Sequence, residues 1–326
     1  MSVYPCFSIT DEASFQEVAL QVFRDQSKQV KVYREYLYAI KVNPLTVSRW
    51  EDIPYLPIEF FRTREVIKDG LNAQVIFQSS GSTSAQSSKH FVADTQVYIE
   101  SFIRGFHKNY GSISQYALLA LLPSYLQKGD SSLVYMTDHL IQDSKNSFSG
   151  FYLDDYISLS KALNTLKDHR HKTILLGVSY ALLDLVEQFP MQFRELIIME
   201  TGGMKGRRKE LVKEELHAIL KSGFGVEKIH SEYGMTELLS QAYSSGEGIY
   251  HCQPWMKVRI REMNDPFHFF DHGKTGGVCV TDLANVNSCA FIATQDLGRL
   301  YPNGSFEILG RFDDAEARGC NLLVDF

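Results

Sequence analysis

The 326-residue chain has no apolar run approaching the roughly eighteen residues that a helix needs to cross a bilayer. Its first residues, Met1-Ser-Val-Tyr-Pro5, lack a basic stretch followed by an apolar core, so no secretory leader is expected. No block of Lys and Arg occurs, and the formal net charge is −6, which gives no support for nucleic-acid binding. The five cysteines, Cys6, Cys252, Cys279, Cys289 and Cys320, show none of the paired spacing of a disulfide framework. They read as reduced thiols of a cytoplasmic protein. What remains is 44% hydrophobic and 22% charged, an ordinary globular composition with enough chain for one large domain or two smaller ones.

Hydrophobic spacing then divides the chain. Residues 11 to 42 read as two helices, the first with Phe15, Val18, Ala19, Val22 and Phe23 on one face and a cap near Thr10-Asp11. The second carries Val32, Tyr33, Tyr36 and Leu37 and ends by Pro44, and Pro54-Tyr-Leu-Pro57 forces extended backbone. Residues 1–62 are thus a helical preface to a body over 63–326. In the body, strands are expected at Ala73–Phe77, Thr173–Val178 and Leu196–Met199, with apolar runs at Tyr116–Leu122 and Ser132–Met136. Helices are expected at Thr95–Phe106, Ile157–Leu166, Tyr180–Phe189 and Arg207–Lys221. That alternation argues for crossover units and a largely parallel sheet. After Glu237 the pattern changes to strands and turns (Lys257–Glu262, Gly277–Thr281, Cys289–Ala293), an antiparallel region. The fold class is therefore α/β: mixed and parallel sheets flanked by helices, closed by an antiparallel β region.

Two polar segments stand out. Gln78-Ser-Ser-Gly-Ser-Thr-Ser-Ala-Gln-Ser-Ser-Lys89 follows a strand and crowds hydroxyls, a glycine and a lysine together. Such a loop offers backbone N–H groups, hydroxyls and a cation to a polyanion, although a flexible serine-rich linker has the same composition. It is not the common nucleoside-triphosphatase loop, because no Gly-Lys-Ser/Thr follows Gly81 at the required distance. The second is Tyr233-Gly-Met-Thr-Glu237. Together with Ala293-Thr-Gln-Asp-Leu-Gly-Arg299 and Leu309-Gly-Arg-Phe-Asp-Asp314, in that order, the two resemble the adenylate-forming superfamily, which activates carboxylic acids with ATP. The resemblance implies the large N-terminal-type domain of those enzymes, with ATP and Mg²⁺ as cofactors and a carboxylic acid as substrate.

It also implies roles. Ser80, Gly81, Ser82 and Thr83 hold the terminal phosphates, Tyr233 and Gly234 line the adenine, Thr236 meets the α-phosphate, and Glu237 is the magnesium ligand. These are apt groups: a phenol stacks on a flat base, and a carboxylate is a hard ligand for a hard cation. Asp296 resembles the carboxylate that takes the ribose hydroxyls, and Arg311 the cation beside it. Ser179, Tyr180, Gly202 and Gly203 follow buried strands and are assigned to the acyl and adenine pocket, since ligands favour the carboxyl ends of such strands. The chain departs from the pattern in three places. Ser84 replaces a glycine and the loop lysine comes late, at Lys89; Gln295 stands where glycine is usual; and the chain ends at Phe326, without the small domain that carries a catalytic lysine. Lys89 and Lys205 are the cations expected to serve instead.

The preface, Glu51-Asp-Ile-Pro-Tyr-Leu-Pro-Ile-Glu-Phe60, Glu200-Thr-Gly-Gly-Met-Lys-Gly-Arg207, Pro254-Trp-Met-Lys-Val258 and Arg318-Gly-Cys320 narrow the likeness. They are similar to the acyl-protein synthetase family of bacterial luminescence, also called the long-chain-fatty-acid–luciferin-component ligase family. That likeness implies a preface packed on the catalytic domain, a fatty acid, self-acylation at Cys320, and a partner reductase or carrier that accepts the acyl group. By the residues alone, Cys320 is either that nucleophile, with Arg318 favouring the thiolate, or a small apolar residue opening the strand Asn321–Val324. Delivery to coenzyme A and a non-catalytic acyl- or nucleotide-binding subunit are the alternative functions. His268 and His272, and His251 with Cys252, have metal-like spacing but read as turn residues.

Overall fold

The computed structural model describes residues 4–79, 87–123, 130–202, 208 and 211–312. After a short 3-10 turn at Pro5–Ser8 come two helices, α1 (Glu12–Gln29) and α2 (Lys31–Ala39), separated only by Val30. Asp11 caps α1 by accepting the Ser14 N–H at 2.8 Å, while the Ser14 hydroxyl accepts the Asp11 N–H at 3.1 Å. This reciprocal pair satisfies donors that the first turn leaves free. Phe15, Ala19 and Phe23 are buried as the spacing predicts, whereas Val18 and Val22 are half-buried and Leu20 and Gln26 complete the inner face.

The extended Pro54–Pro57 segment supplies β1 (Leu56–Pro57), followed by the single turn α3 (Phe60–Thr63). A hairpin of β2 (Val75–Gln78) and β3 (Lys89–Val92) leads into α4 (Thr95–Tyr110), which Asp94 caps. The crossover units then run β4 (Ala117–Leu121), α5 (Ser132–Ser144), β5 (Gly150–Phe151), α6 (Tyr156–Asp168), β6 (Thr173–Val178) and α7 (Ser179–Gln188). They continue through β7 (Ile197–Thr201), α8 (Lys213–Phe224) and β8 (His230–Tyr233) to the antiparallel β9 (Ala242–Ser244). The sheet order is β5-β4-β6-β7-β8-β9, parallel except at its last pair. Every residue of β4 and β6 is buried, as expected of strands covered on both faces by helices.

The second sheet is built from β10 (Ile249–Tyr250), β11 (Met256–Arg261), β12 (Phe269–Phe270), β13 (Thr275–Asp282), β14 (Phe291–Leu300) and β15 (Phe306–Arg311). Its order is β10-β15-β14-β13-β11-β12, all antiparallel, with β1 adding to β14 in parallel. Along β11 burial alternates residue by residue, the mark of a strand covered on one face. The preface shares this core. The Tyr33 ring stacks on Phe291 with centroids 6.3 Å apart, and Phe23 meets Phe291 edge-on at 6.1 Å.

Some local expectations shift. The apolar run Ser132–Met136 opens α5, with the Ser131 hydroxyl accepting the Val134 N–H, because the run continues at helical spacing. The helix expected from Arg207 starts at Lys213 instead and runs to Phe224. Arg208, within the span expected to be helical, turns back to α7 and pairs with Asp184 and Glu187. The strand expected from Cys289 begins at Phe291, and Asn321–Val324 lies outside the described residues.

Candidate active site

The two ends of the serine segment are joined at its base. Ser79 N–H donates to the Ser88 carbonyl at 3.0 Å, and Ser88 N–H donates to the Ser79 hydroxyl at 2.9 Å. Ser80, Gly81, Ser82 and Thr83 themselves lie outside the described residues. Beyond this base, strand alternation puts Ser88 and His90 on the buried side and Lys89 on the exposed side. His90 Nδ1 lies 2.9 Å from the Thr236 carbonyl oxygen and Nε2 lies 3.1 Å from Asn285 Oδ1. Two facing acceptors favour a protonated ring, but complete burial is the larger effect and pulls the pKa to about 4, so the imidazole is neutral at pH 7. The fixed Thr236 carbonyl then receives the Nδ1–H. Asn285 Nδ2 also donates to the Glu237 carbonyl at 2.8 Å, and the Ser88 hydroxyl donates to the Glu237 carboxylate. The segment Thr236-Glu237 is therefore held on three sides by the foot of the serine loop and by Asn285.

Glu237 is buried, and burial raises its pKa; the Ser88 hydroxyl opposes the rise, Asp296 adds to it, and Arg311 opposes it. Asp296 on β14 and Arg311 on β15 thus both act on the same carboxylate. Tyr233 at the end of β8 donates its hydroxyl to Asp296 Oδ2 at 2.8 Å. Asp296 faces Arg311 directly across the β14–β15 ladder, with Arg311 Nε 3.8 Å from Oδ1. Burial pushes the Asp296 carboxyl up, against the Tyr233 hydroxyl and the Arg311 charge. The Tyr233 ring is packed edge-on against Phe306 at 5.5 Å and tilted against Tyr250 at 5.9 Å, leaving little of it exposed. Gln295 joins the rim to the preface. It accepts from Arg311 at 3.1 Å and Arg62 at 3.2 Å, and it donates to Glu59 at 2.8 Å.

The remaining expected residues divide. Ser179 is buried and its hydroxyl lies 3.3 Å from Glu200 Oε1 and 3.2 Å from the Gly202 carbonyl, while the Tyr180 hydroxyl donates to the Pro123 carbonyl at 3.1 Å. Both hydroxyls thus brace the strand ends. Gly202 has φ of +67°, a conformation that a side chain would strain. Gly203, Lys205 and Cys320 lie outside the described residues. Among the described residues there is no cluster of three His, Cys, Asp or Glu able to hold a metal, and the His268–His272 pair forms none.

Ser88, His90, Asn285 and Gln26 have no motif in the sequence that marks them. Gln26 on α1 donates from Nε2 to the Asn285 carbonyl at 2.8 Å and accepts the Ala290 N–H at 3.0 Å, fixing the turn that carries Asn285. Asp282 accepts the N–H groups of Leu239 at 2.7 Å and Ser240 at 2.9 Å, which anchors the chain just past Glu237.

A mixed α/β layer and an antiparallel sheet beside it, with polar strand ends meeting between them, make up a fold that this chain shares with solved enzyme structures. Among solved structures, ATP-bound MatB from Rhodopseudomonas palustris matches with a TM-score of 0.56 at 17% identity, covering 75% of this chain and 49% of that one. An ATP-bound RpMatB-BxBclM chimera matches at 0.57 and 16%, covering 76% and 50%. An open conformation of 2-hydroxyisobutyryl-CoA ligase in complex with 2-HIB-AMP and CoA matches at 0.69 and 13%, covering 93% and 70%. The chain spans about half the length of the MatB structures. At these identities the likeness is one of fold. No protein-family model and no curated protein matches the sequence. Among the described residues no helix is long and apolar enough to cross a membrane.

Proposed function

We propose that this protein activates a carboxylic acid with ATP to an acyl adenylate and pyrophosphate, then passes the acyl group to a thiol. The observation that carries this reading is the junction of Ser88 and His90, at the foot of the serine loop, with Thr236-Glu237. It brings two segments with phosphate- and metal-suited groups to one place. In the first step a substrate carboxylate oxygen attacks the α-phosphorus and pyrophosphate leaves. Such a step needs alignment and neutralised charge more than covalent help. Thr236 would meet the α-phosphate, Ser80 to Thr83 the leaving phosphates, and Asp296 with Arg311 the ribose.

Magnesium fits as one carboxylate's ligand. Glu237 is buried, receives the Ser88 hydroxyl and its own backbone among the described residues, and feels the charge of the other acid, Asp296. Magnesium is commonly held by one or two carboxylates together with substrate phosphates, so no larger protein cage is required. When bound, it would neutralise phosphate charge; Glu237 would hold it, and Ser88 would orient Glu237.

The finer reading is an acyl-protein synthetase: a fatty acid, a thiolate of Cys320 that attacks the acyl carbon as AMP leaves, and a reductase or carrier as the next acceptor. The sequence likeness supports it; Lys89 and Lys205 are the cations proposed for the α-phosphate. Exchange of labelled pyrophosphate into ATP, driven by one member of a panel of fatty and aryl acids, tests the first step. Absence of exchange with every acid refutes it. Hydroxylamine-labile labelling of the protein by radioactive acid, lost in Cys320→Ser, tests the second. AMP release that requires free coenzyme A would assign that thiol as the acceptor instead.

A further inference from the structure

Two buried glutamates on neighbouring strands, Glu200 and Glu232, are treated very differently. Glu200 on β7 and Ser231 on β8 are register partners on one face of the sheet. There Glu200 accepts from Ser231 at 2.8 Å, and Lys213 and His217 stand 3.7 and 3.6 Å from its Oε2. Burial alone would raise its pKa, but these partners outweigh it and the carboxyl stays ionised. Thr201 and Glu232, the next register pair, face the other way. Glu232 is 7% exposed, and Thr201 donates to its Oε2 at 2.6 Å. Among the described residues no cation pairs with it, and no donor serves Oε1.

Its position points to a ligand. A Cβ added to Gly234 would fall 2.4 Å from Glu232 Oε1, so the missing side chain of this exposed glycine leaves the room in which that oxygen sits. Gly234 lies between Tyr233 and Thr236, so the oxygen sits beside the residues assigned to the acyl adenylate. The rings around it are phenolic. Tyr98 and Tyr110 on α4 and Tyr243, its cross-strand partner, all feel the Glu232 charge. A buried carboxyl with a single hydroxyl partner is costly to a fold and is kept where something else completes it. Once deprotonated, this carboxyl, with a second carboxylate behind the strand and aromatic rings around it, is suited to an ammonium.

We infer that the acid activated here carries a protonated amine, and that Glu232, beside Gly234, is the residue that selects it. This rests on the adenylation reading alone, and it names amino acids in the broad sense in place of the unsubstituted fatty acid of the finer reading. Glu232 pairs with the ammonium while the carboxylate lies toward Thr236. It takes no part in bond making, so its removal changes which acid is used.

The probes are leucine, phenylalanine, β-alanine and γ-aminobutyrate, each against the deaminated acid of the same carbon skeleton. Wild-type protein should support pyrophosphate–ATP exchange with at least one amino acid, well above its deaminated counterpart. Glu232→Gln should lower kcat/KM for that amino acid by roughly 10- to 100-fold, the worth of a buried charge-assisted bond, while sparing or improving the deaminated acid. Equal losses for both, or a wild-type preference for the deaminated acid, would overturn the assignment. A thermal-shift titration with the same pairs needs no chemistry. Stabilisation by the amino acid in wild type, absent in Glu232→Gln, upholds the role of Glu232 even if no acid drives exchange, in which case the adenylation reading alone fails. No amino-acid-specific stabilisation and no amino-acid-driven exchange sinks the inference.

Discussion

His90 Nδ1 stands 2.9 Å from the Thr236 carbonyl oxygen although 146 positions separate the two residues. Through this contact the foot of the serine loop and the acidic segment move as one piece. Replacing His90 by Ala strands the Thr236 carbonyl and Asn285 in a buried space. We expect a loss of roughly 2–4 kcal/mol in urea unfolding, with exchange activity depressed further in protein that is still folded. A folded His90→Ala protein with wild-type exchange would show that the junction does not position the site.

Glu237→Gln keeps the shape of a buried side chain and removes a charge that burial disfavours. Thermal stability should hold or rise. Pyrophosphate exchange should fall by on the order of 100-fold or more, and a magnesium titration should saturate at higher concentration. Unchanged magnesium dependence would remove Glu237 from the metal role.

Asp296→Asn and Tyr233→Phe separate ribose binding from its support. The first removes the charged acceptor and should raise KM for ATP by roughly 10- to 100-fold with a smaller change in kcat. The second removes only the hydroxyl that holds Asp296, so about a tenfold effect or less is expected. Steady-state kinetics at varied ATP measure both, and equal effects on kcat would contradict the assignment.

Glu232 sets a pH dependence. Burial, opposed by the Thr201 hydroxyl and assisted by Glu200, raises its carboxyl from 4.5 to about 7. The folded protein therefore keeps a proton that the unfolded chain has released, and this group's contribution to stability declines as pH rises from 4.5 to about 7. Glu232→Gln is spared that decline. Its advantage over wild type in denaturant unfolding should grow across this window to on the order of 3 kcal/mol above pH 7. A pH-independent difference would mean the carboxyl is ionised in the fold throughout.

Gln26 lies on α1, remote in sequence from every motif, yet it fixes the Asn285 turn. Gln26→Ala should cost roughly 1–3 kcal/mol because it leaves buried backbone groups unpaired. An added rise in KM for ATP would show that the preface supports the site as well as the fold.

Much of the architecture was legible beforehand because it is local. Thr173–Val178 is an unbroken apolar run and forms β6 with those bounds. The capping pattern at Asp11 and the alternation in β11 were likewise visible in neighbouring residues. Ser132–Met136 shows the limit: five apolar-rich residues do not distinguish strand from helix, and only the continuation to Ser144 decides. The pairing of Arg208 is not local at all, since Asp184 and Glu187 come to it through chain reversal.

Motif spelling by itself determined the order of polar segments along the chain and the residue types suited to phosphate, metal and ribose. Only the tertiary structure decided that His90, Asn285 and Gln26 bind those segments together, and that Glu200 is compensated while Glu232 has one hydroxyl partner among the described residues. The reason is physical: residue type and spacing express preferences over a turn or a strand, whereas hydrogen-bond partners and desolvation belong to groups that meet only after the chain has closed on itself.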